Sequence, residues 1–167
     1  MVRRLAGPVT GEVVISRPVQ VVYGFYRDFT NLPLVLGDVV AVEQVVGMTY
    51  RWIVAGPLGT RLPMTVTVTD QHVNKRIHYQ TGGPGPLGGR WELAFAVDAG
   101  SSGTRIRDQL VVPMGAVGRA VLALIKEFPD RKVAANLTWL KQLLEIGDGS
   151  DTASAAALPT SDQPEVP

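Results

Sequence analysis

The feature that most constrains the fold is a long stretch, from Asp38 to Pro113, in which side-chain polarity alternates with a period of two. Between Arg61 and Gln71, for example, aliphatic side chains alternate with threonines. This period is typical of strands that bury one face, and Gly- or Asn-containing turns divide the stretch into six strands. The sequence therefore predicts an antiparallel meander in which each strand pairs with the next.

Helical periodicity is found on both sides of this meander. Before it, a short strand over residues 9–16 leads into a helix opened by Pro18, and Asn31-Leu32-Pro33 separates that helix from a second short one. The apolar face of the first helix is expected to carry Val22, Phe25, Tyr26 and Phe29. After the meander, an apolar stripe predicts one long helix.

The long helix defines the rest of the expected architecture. Its stripe covers residues 117–145, Pro129 should bend it, and Gly147 should end it. The order of elements predicts an α+β domain over residues 1–147, in which a curved sheet and one helix leave a space between them. Residues 148–167 are rich in Ala, Ser and Pro and carry four acids and no bases, so we expect a disordered acidic tail.

Composition excludes several classes of function. There is no cysteine, which excludes thiolate chemistry and cysteine-based zinc sites and agrees with a cytoplasmic location. Apolar runs are too short to insert in a membrane, and the bases are too scattered for a nucleic-acid face. The segment Gly83–Gly88 spells G-x-G-x-x-G, but a strand follows it, so we expect no nucleotide. His72 and His78 match no metal-ligand spacing, so we expect no metal and no other cofactor.

Alternation also assigns side chains to the two faces of the predicted sheet. Arg105, Arg107 and Gln109 have to face water, so Asp108, which lies between the last two, faces inward. The same reasoning directs four aromatic residues inward: Tyr50, Trp52, Tyr79 and Trp91. Core packing explains each ring taken alone. Their N–H and O–H groups need partners, however, so together they imply buried hydrogen bonds or a partly polar cavity.

Asp108 is the unusual residue of this inner wall. Burial among aliphatic residues would raise the pKa of its carboxyl unless the group is paired. One interpretation is structural: Asp108 hydrogen-bonds to Tyr50, Tyr79 or Asn136, or a bulge turns it outward. The other is a role in contacting a ligand or in acid–base chemistry.

Several short segments carry a resemblance to a known family: Ile15-Ser16-Arg17-Pro18, Asp28-Phe29, Tyr50-Arg51-Trp52, Lys75-Arg76-Ile77-His78-Tyr79, Gly103-Thr104-Arg105-Ile106 and Pro113-Met114-Gly115. In this order, over residues 9 to about 145, the chain resembles the START/Bet v 1-like (SRPBCC) superfamily, and within it the bacterial polyketide cyclase/dehydrase-type proteins. The resemblance implies a helix-grip fold, in which a curved antiparallel sheet wraps around a long C-terminal helix and encloses an internal hydrophobic cavity.

For function, the resemblance implies a hydrophobic small-molecule ligand and leaves the activity open. One alternative is a cofactor-independent cyclase or dehydratase that folds a polyketide-type substrate and assists its cyclisation with an acid–base group. Another is a non-catalytic carrier or sensor of a lipid-like molecule, and a third is an interaction module with a vestigial cavity. Related cyclases tend to place a Tyr where Val39 stands here and an inward Arg on the fourth strand, where this chain has aliphatic residues. Whether the protein forms a homodimer is also open.

The candidate site follows from the inner wall and the long helix. The expected catalytic residues are Asp108, Tyr79 and Tyr50. The expected ligand-binding residues are Trp52, Met64, Trp91, Phe95, Leu110, Leu122, Asn136 and Leu140.

Overall fold

The computed structural model describes residues 8–82, 88–111 and 129–154, which form an α+β fold with one curved antiparallel sheet. The elements are β1 (Val9–Ile15), helix α1 (Val19–Arg27), a 3-10 helix (Phe29–Leu34), β2 (Val39–Val46), β3 (Thr49–Ala55), a short 3-10 turn (Pro57–Gly59), β4 (Arg61–His72), β5 (Arg76–Gly82), β6 (Gly89–Val97), β7 (Thr104–Val111) and helix α2 (Pro129–Ser154).

The seven strands follow the order β1-β7-β6-β5-β4-β3-β2. Each strand from β2 to β7 pairs antiparallel with the next, which confirms the predicted meander. Gly47 closes the β2–β3 hairpin with a φ of 52°, in the left-handed region that glycine enters without steric cost. The meander is completed by β1, which pairs antiparallel with β7 and forms one edge of the sheet.

Helix α2 packs closely over β1. A Cβ atom on Gly11 would lie 2.5 Å from Cγ1 of Val133 and 2.9 Å from Cδ1 of Leu137, so the helix approaches this strand because residue 11 has no side chain. Gly11 is also the β1 residue that pairs with Asp108 on β7. The apolar side of α2 therefore covers the part of the sheet that contains Asp108.

Side chains of α2 also satisfy the backbone at the end of β1. Nζ of Lys141 donates to the carbonyl oxygen of Val14 at 2.7 Å, and the backbone N–H of Ser16 donates to Oε1 of Glu145 at 2.8 Å. Lys141 and Glu145 also pair with each other at 2.8 Å. An edge strand leaves backbone groups without strand partners, and these contacts cover two of them.

The C-terminal helix ends later than predicted. Helix α2 continues through Gly147 to Ser154, so the prediction that Gly147 ends it is wrong. Glycine ends a helix where it adopts the left-handed conformation, and Gly147 is not among the glycines with positive φ. The predicted bend at Pro129, the earlier part of the predicted helix and the part of the predicted tail from residue 155 onward lie outside the described residues.

The buried face of the first helix contains one residue more than predicted. Tyr23 is buried beside Val22 and Tyr26, and Phe25 is half-buried and packs against the same core. Phe29 is buried as expected, but it belongs to the 3-10 helix. The additional residue is Tyr23, whose ring centroid lies 5.5 Å from that of Phe95.

Candidate functional site

The structure confirms the predicted direction of the side chains on β7. Asp108 is only 5% exposed, whereas Arg105 and Arg107 lie on the outer face. There, Arg105 contacts Oε1 of Glu12 at 2.6 Å, and Arg107 contacts Oε2 of the same residue at 3.3 Å. The pairing of β7 with β1 and with β6 has no register shift at Asp108, so the alternative in which a bulge turns it outward is wrong.

Five aromatic side chains pack together at the inner face of the sheet, and we call them the ring cluster: Phe29, Tyr50, Trp52, Tyr79 and Trp91. Phe29 lies at its centre, with ring centroids 5.0 Å from Tyr50, 5.8 Å from Trp52 and 5.1 Å from Tyr79. Tyr79 stacks on Trp91 with a centroid distance of 5.9 Å and an interplanar angle of 9°. Four of these rings were expected on the inner wall, and Phe29 adds the contact that joins three of them.

A local sequence signal places Phe29 over the sheet. Oδ1 of Asp28 accepts hydrogen bonds from the backbone N–H of Thr30 at 3.0 Å and from its hydroxyl at 2.6 Å. This is an N-cap for the 3-10 helix, and it fixes the direction in which the chain leaves α1. Phe29 is the first residue of that helix and is 1% exposed.

Among the residues that the structure describes, no charged group compensates Asp108. Its ladder neighbours are Gly11 on β1 and Leu93 on β6. Burial raises the pKa of its carboxyl to about 7, and no charged neighbour contributes to that shift. Oδ1 is buried and has no hydrogen-bond partner among the residues that the structure describes. For this oxygen, the structure therefore does not provide the expected bond to Tyr50, Tyr79 or Asn136.

Two tyrosines experience the field of this carboxyl. Burial, with Asp108 as a second cause, raises the pKa of Tyr26 on α1 and that of Tyr79 on β5 well above the ordinary value. Both phenols therefore stay protonated at neutral pH and can donate hydrogen bonds. We call Asp108, Tyr26 and Tyr79 the Asp108 site. Tyr79 was expected there from strand alternation. Tyr26 was predicted only as part of an apolar helix face, although its hydroxyl distinguished it from the phenylalanines of that face.

Two further polar atoms of the interior are buried without a partner among the described residues. They are the hydroxyl of Tyr23 on α1 and Nε1 of Trp52 on β3. Each such atom costs about 1–3 kcal/mol of stability compared with a hydrogen-bonded one. Together with Oδ1 of Asp108, they give the interior two possible donors and one possible acceptor for a bound molecule. Tyr23 was not among the residues predicted for the apolar face of the helix.

The other expected site residues are mostly where alternation placed them. Trp52, Phe95, Leu110 and Leu140 are buried, and Met64, Trp91 and Asn136 are half-buried. Leu122 lies outside the described residues. Burial on the inner side is the predicted geometry, but it does not test ligand binding, so the ligand-binding assignments stay predictions.

The described residues contain no group of three or more His, Asp or Glu side chains that could hold a metal ion. Within the same part of the chain, no helix is long and apolar enough to cross a bilayer.

Three solved structures illustrate what this chain is similar to. The protein DR_A0006 from Deinococcus radiodurans superposes with a TM-score of 0.65 at 24% identity, over 84% of this chain and 98% of that one. The di-domain ARO/CYC protein StfQ from the steffimycin biosynthetic pathway gives 0.64 at 13% identity, over 87% of this chain and 54% of that one. DynU16, from the dynemicin biosynthetic locus, gives 0.61 at 16% identity, over 84% and 48%.

These likenesses establish a shared fold. The expected resemblance to polyketide cyclase-type proteins is confirmed at that level, because StfQ and DynU16 contain a domain with the same arrangement of sheet and helix. The chain spans about half the length of each of these two proteins. No family profile matches the sequence, and no curated protein matches it either.

Proposed function

We propose that this protein binds a hydrophobic, polyketide-type small molecule in a cavity between the inner face of the sheet and α2, and that it promotes the cyclisation of that molecule. The observation that carries the proposal is a set of three buried polar atoms, on Asp108, Tyr23 and Trp52, that find no partner among the described residues. A bound molecule with carbonyl and hydroxyl groups would satisfy them. The fold shared with the ARO/CYC protein StfQ supports the same class of ligand.

The acid–base part of the proposal rests on Asp108. A carboxyl with a pKa of about 7 can release or hold its proton near neutral pH, which suits a group that works as both base and acid. As a carboxylate it would take a proton from a carbon between two carbonyls, and it would then give a proton to the oxygen that becomes a hydroxyl. Tyr79 and Tyr50 would orient the substrate through their hydroxyl groups. Folding a flexible chain into a reactive conformation would supply the rest of the acceleration.

The second candidate function is a non-catalytic carrier or sensor of a lipid-like molecule. The observation that favours it is the aliphatic character of β4, where Leu62, Met64 and Val66 are buried or half-buried and offer no hydrogen bond. Val39, where related cyclases tend to have a tyrosine, is also buried and apolar. In either case the ligand is an apolar small molecule, and we include a cytoplasmic location in the proposal because cysteine is absent.

Binding is tested with the neutral fluorescent probe N-phenyl-1-naphthylamine, whose emission rises in an apolar environment. We expect the wild-type protein to bind it and polyketide-like aromatic compounds to displace it. Trp91→Ala should weaken probe binding by about tenfold or more, since it removes a half-buried ring of the inner face. Val97→Ala is the matched control, because Val97 is 67% exposed. Equal binding by wild type and Trp91→Ala would contradict the assignment of the ligand to this face.

Catalysis is tested by substituting Asp108. Asp108→Asn preserves the shape of the side chain and removes its titratable proton, so turnover of a polyketide-type substrate should fall by roughly 10²–10⁴. Melting temperature is measured on the same samples to show that the variant is folded. Binding without turnover in the wild type would favour the carrier, and an unchanged rate in the variant would rule out the role of Asp108.

A further inference from the structure

We propose that the Asp108 site selects its ligand by charge, so that it accepts a molecule whose polar group is a protonated amine and rejects one whose polar group is a carboxylate. This inference rests on the proposed binding of an apolar molecule at the inner face, and it names the group that the molecule brings there. The starting observation is that Oδ1 of Asp108 is buried and has no hydrogen-bond partner among the described residues. An ammonium group supplies both the donor and the opposite charge that such an oxygen lacks.

The strands of the sheet direct their positive charges away from this carboxyl. All six arginines on the described strands are exposed: Arg51, Arg61, Arg76, Arg90, Arg105 and Arg107. No lysine lies on these strands. Burial alone raises the pKa of Asp108 to about 7, whereas a neighbouring cation would lower it, so the electrostatics agree with the geometry.

The cations of α2 are also engaged elsewhere. Arg131 is exposed. Lys132 pairs with Asp38 at 2.9 Å, and Lys141 pairs with Glu145 at 2.8 Å. In this part of the helix, the residues that approach the strand beside the buried carboxyl are aliphatic, so the helix packed over it brings no positive charge to it.

The aromatic rings of the same region favour a cation over an anion. Phe95 meets Tyr23 and Tyr26 edge to face, with centroid distances of 5.5 and 5.7 Å, and Tyr79 stacks on Trp91 at 5.9 Å. The face of an aromatic ring carries negative electrostatic potential, so it attracts an ammonium group and repels a carboxylate. The rings and the carboxyl therefore both favour a positively charged ligand.

A ligand carboxylate would meet the opposite conditions. It would bring a second negative charge beside a buried carboxyl, and two such groups cannot both ionise there without a large cost. A metal ion could also supply positive charge, but the described residues provide no group of ligands to hold one. An organic ammonium group carries its charge on an apolar body and needs no such ligands, so it fits an aromatic interior better.

The experiment compares three naphthalene compounds that differ in the polar group at the end of a short side chain. They are 2-(2-naphthyl)ethylamine, 2-(2-naphthyl)ethanol and the carboxylate of 2-naphthylacetic acid. The affinity of each compound is measured at pH 8 by its displacement of N-phenyl-1-naphthylamine from the wild type, from Asp108→Asn and from Glu12→Gln. The last variant is the matched control, since it removes a negative charge from the outer face of the neighbouring strand. We expect the amine to bind the wild type about tenfold or more tightly than the carboxylate, with the alcohol between them.

The outcomes separate this inference from the proposed function. The inference holds if the difference in affinity between the amine and the carboxylate falls to about twofold in Asp108→Asn and is kept in Glu12→Gln. Equal affinities for amine and carboxylate in the wild type overturn it while leaving the proposed function intact, and so does a difference that persists in Asp108→Asn. Failure of the wild type to bind the neutral probe and the alcohol overturns the proposed function itself.

A second measurement needs no variant and covers the case in which Asp108→Asn does not fold. The amine keeps its charge between pH 5.5 and 8, since its pKa is about 10, like that of lysine. Protonation of Asp108 should therefore weaken its binding several-fold at pH 5.5 and strengthen that of the carboxylate. The facing titratable groups, Tyr26 and Tyr79, stay neutral throughout. The other elements packed around the carboxyl present residues that do not titrate: Gly11, Leu93, Val133 and Leu137. A pH-independent affinity for the amine would overturn the inference.

Discussion

The ring cluster and the Asp108 site lie on the same face of the sheet, and they are stabilised in different ways. In the ring cluster, Phe29 has its ring centroid 5.0 Å from that of Tyr50 and 5.1 Å from that of Tyr79, so each ring is packed by other rings. In the Asp108 site, one carboxyl oxygen is buried without a partner among the described residues. Tyr79 belongs to both. Packed rings stabilise the fold, whereas an uncompensated carboxyl destabilises it, so the second region is the better candidate for chemistry.

This comparison also divides the expected catalytic residues. Tyr50 packs directly on Phe29 in the ring cluster. Tyr26, on the other hand, has its pKa raised by burial and by Asp108. The proposed role of Tyr50 therefore requires a substrate that reaches across the inner face, whereas Tyr26 and Tyr79 are within the field of the acid.

The largest expected effect is the loss of the central ring of the cluster. Phe29→Ala removes a ring that is 1% exposed and contacts three others, so it should lower the free energy of unfolding by about 3–5 kcal/mol. Urea denaturation measures this change. Phe25→Ala is the control, because Phe25 is half-buried, and it should cost less than half as much. Equal losses would mean that the ring cluster does not carry the stability attributed to it.

The next effect is the pH dependence of stability that Asp108 causes. Its pKa is raised from 3.8 to about 7 in the folded protein, so between these values the folded state holds a proton that the unfolded state has lost. Stability should therefore fall as pH rises through this window, by about 1.4 kcal/mol per pH unit and roughly 4 kcal/mol in all. Asp108→Asn should abolish this component. Urea denaturation of both proteins at pH 4, 5.5, 7 and 8 measures it, and parallel curves would contradict the burial of an ionisable carboxyl.

A smaller effect is expected from filling the contact between α2 and β1. Gly11→Ala would place a methyl group 2.5 Å from Cγ1 of Val133, so the helix has to move, at a cost of about 1–3 kcal/mol. Movement of α2 should also admit water to Asp108 and flatten the pH dependence described above. Gly24→Ala on α1 is the control. A Cβ there meets nothing within 4 Å, so it should leave the protein unchanged or stabilise it by up to about 1 kcal/mol. Similar effects of the two variants would argue against the close packing of α2.

Most of the fold could be predicted because it depends on local periodicity. Alternation over β4 to β7 gives both the strands and their inward faces, and Asp108 was assigned inward because Arg105, Arg107 and Gln109 have to face water. The end of α2 was wrong because a glycine permits a helix end without requiring one. On α1, periodicity identified Val22, Phe25 and Tyr26, but it missed Tyr23, which is also buried.

The site could be predicted only in part, for a different reason. Alternation states which way a side chain points, but it does not state whether its polar atoms find partners, because those partners come from elements distant in sequence. Phe29 is an example: the inward direction of Tyr79 and Trp52 followed from their own strands, whereas the ring that packs them comes from the segment after α1. The absence of a described partner for Asp108 likewise depends on residues from β1, β5 and α1 together.

The smallest expected effect concerns Trp52, the member of the ring cluster that shares one property with Asp108: a buried polar atom without a partner among the described residues. Nε1 of Trp52 is buried without a partner among the described residues, although the ring packs on Phe29 and Tyr79. Trp52→Phe removes this donor together with part of the ring. The relief of an unpaired group and the loss of packing should nearly cancel, so we expect the free energy of unfolding to change by no more than about 1 kcal/mol. If a ligand accepts a hydrogen bond from Nε1, its affinity should fall about three- to tenfold at the same time. Trp139→Phe, at a half-exposed ring on α2, is the control for binding and should leave the affinity unchanged. A large loss of stability in Trp52→Phe with unchanged affinity would show that Trp52 only packs.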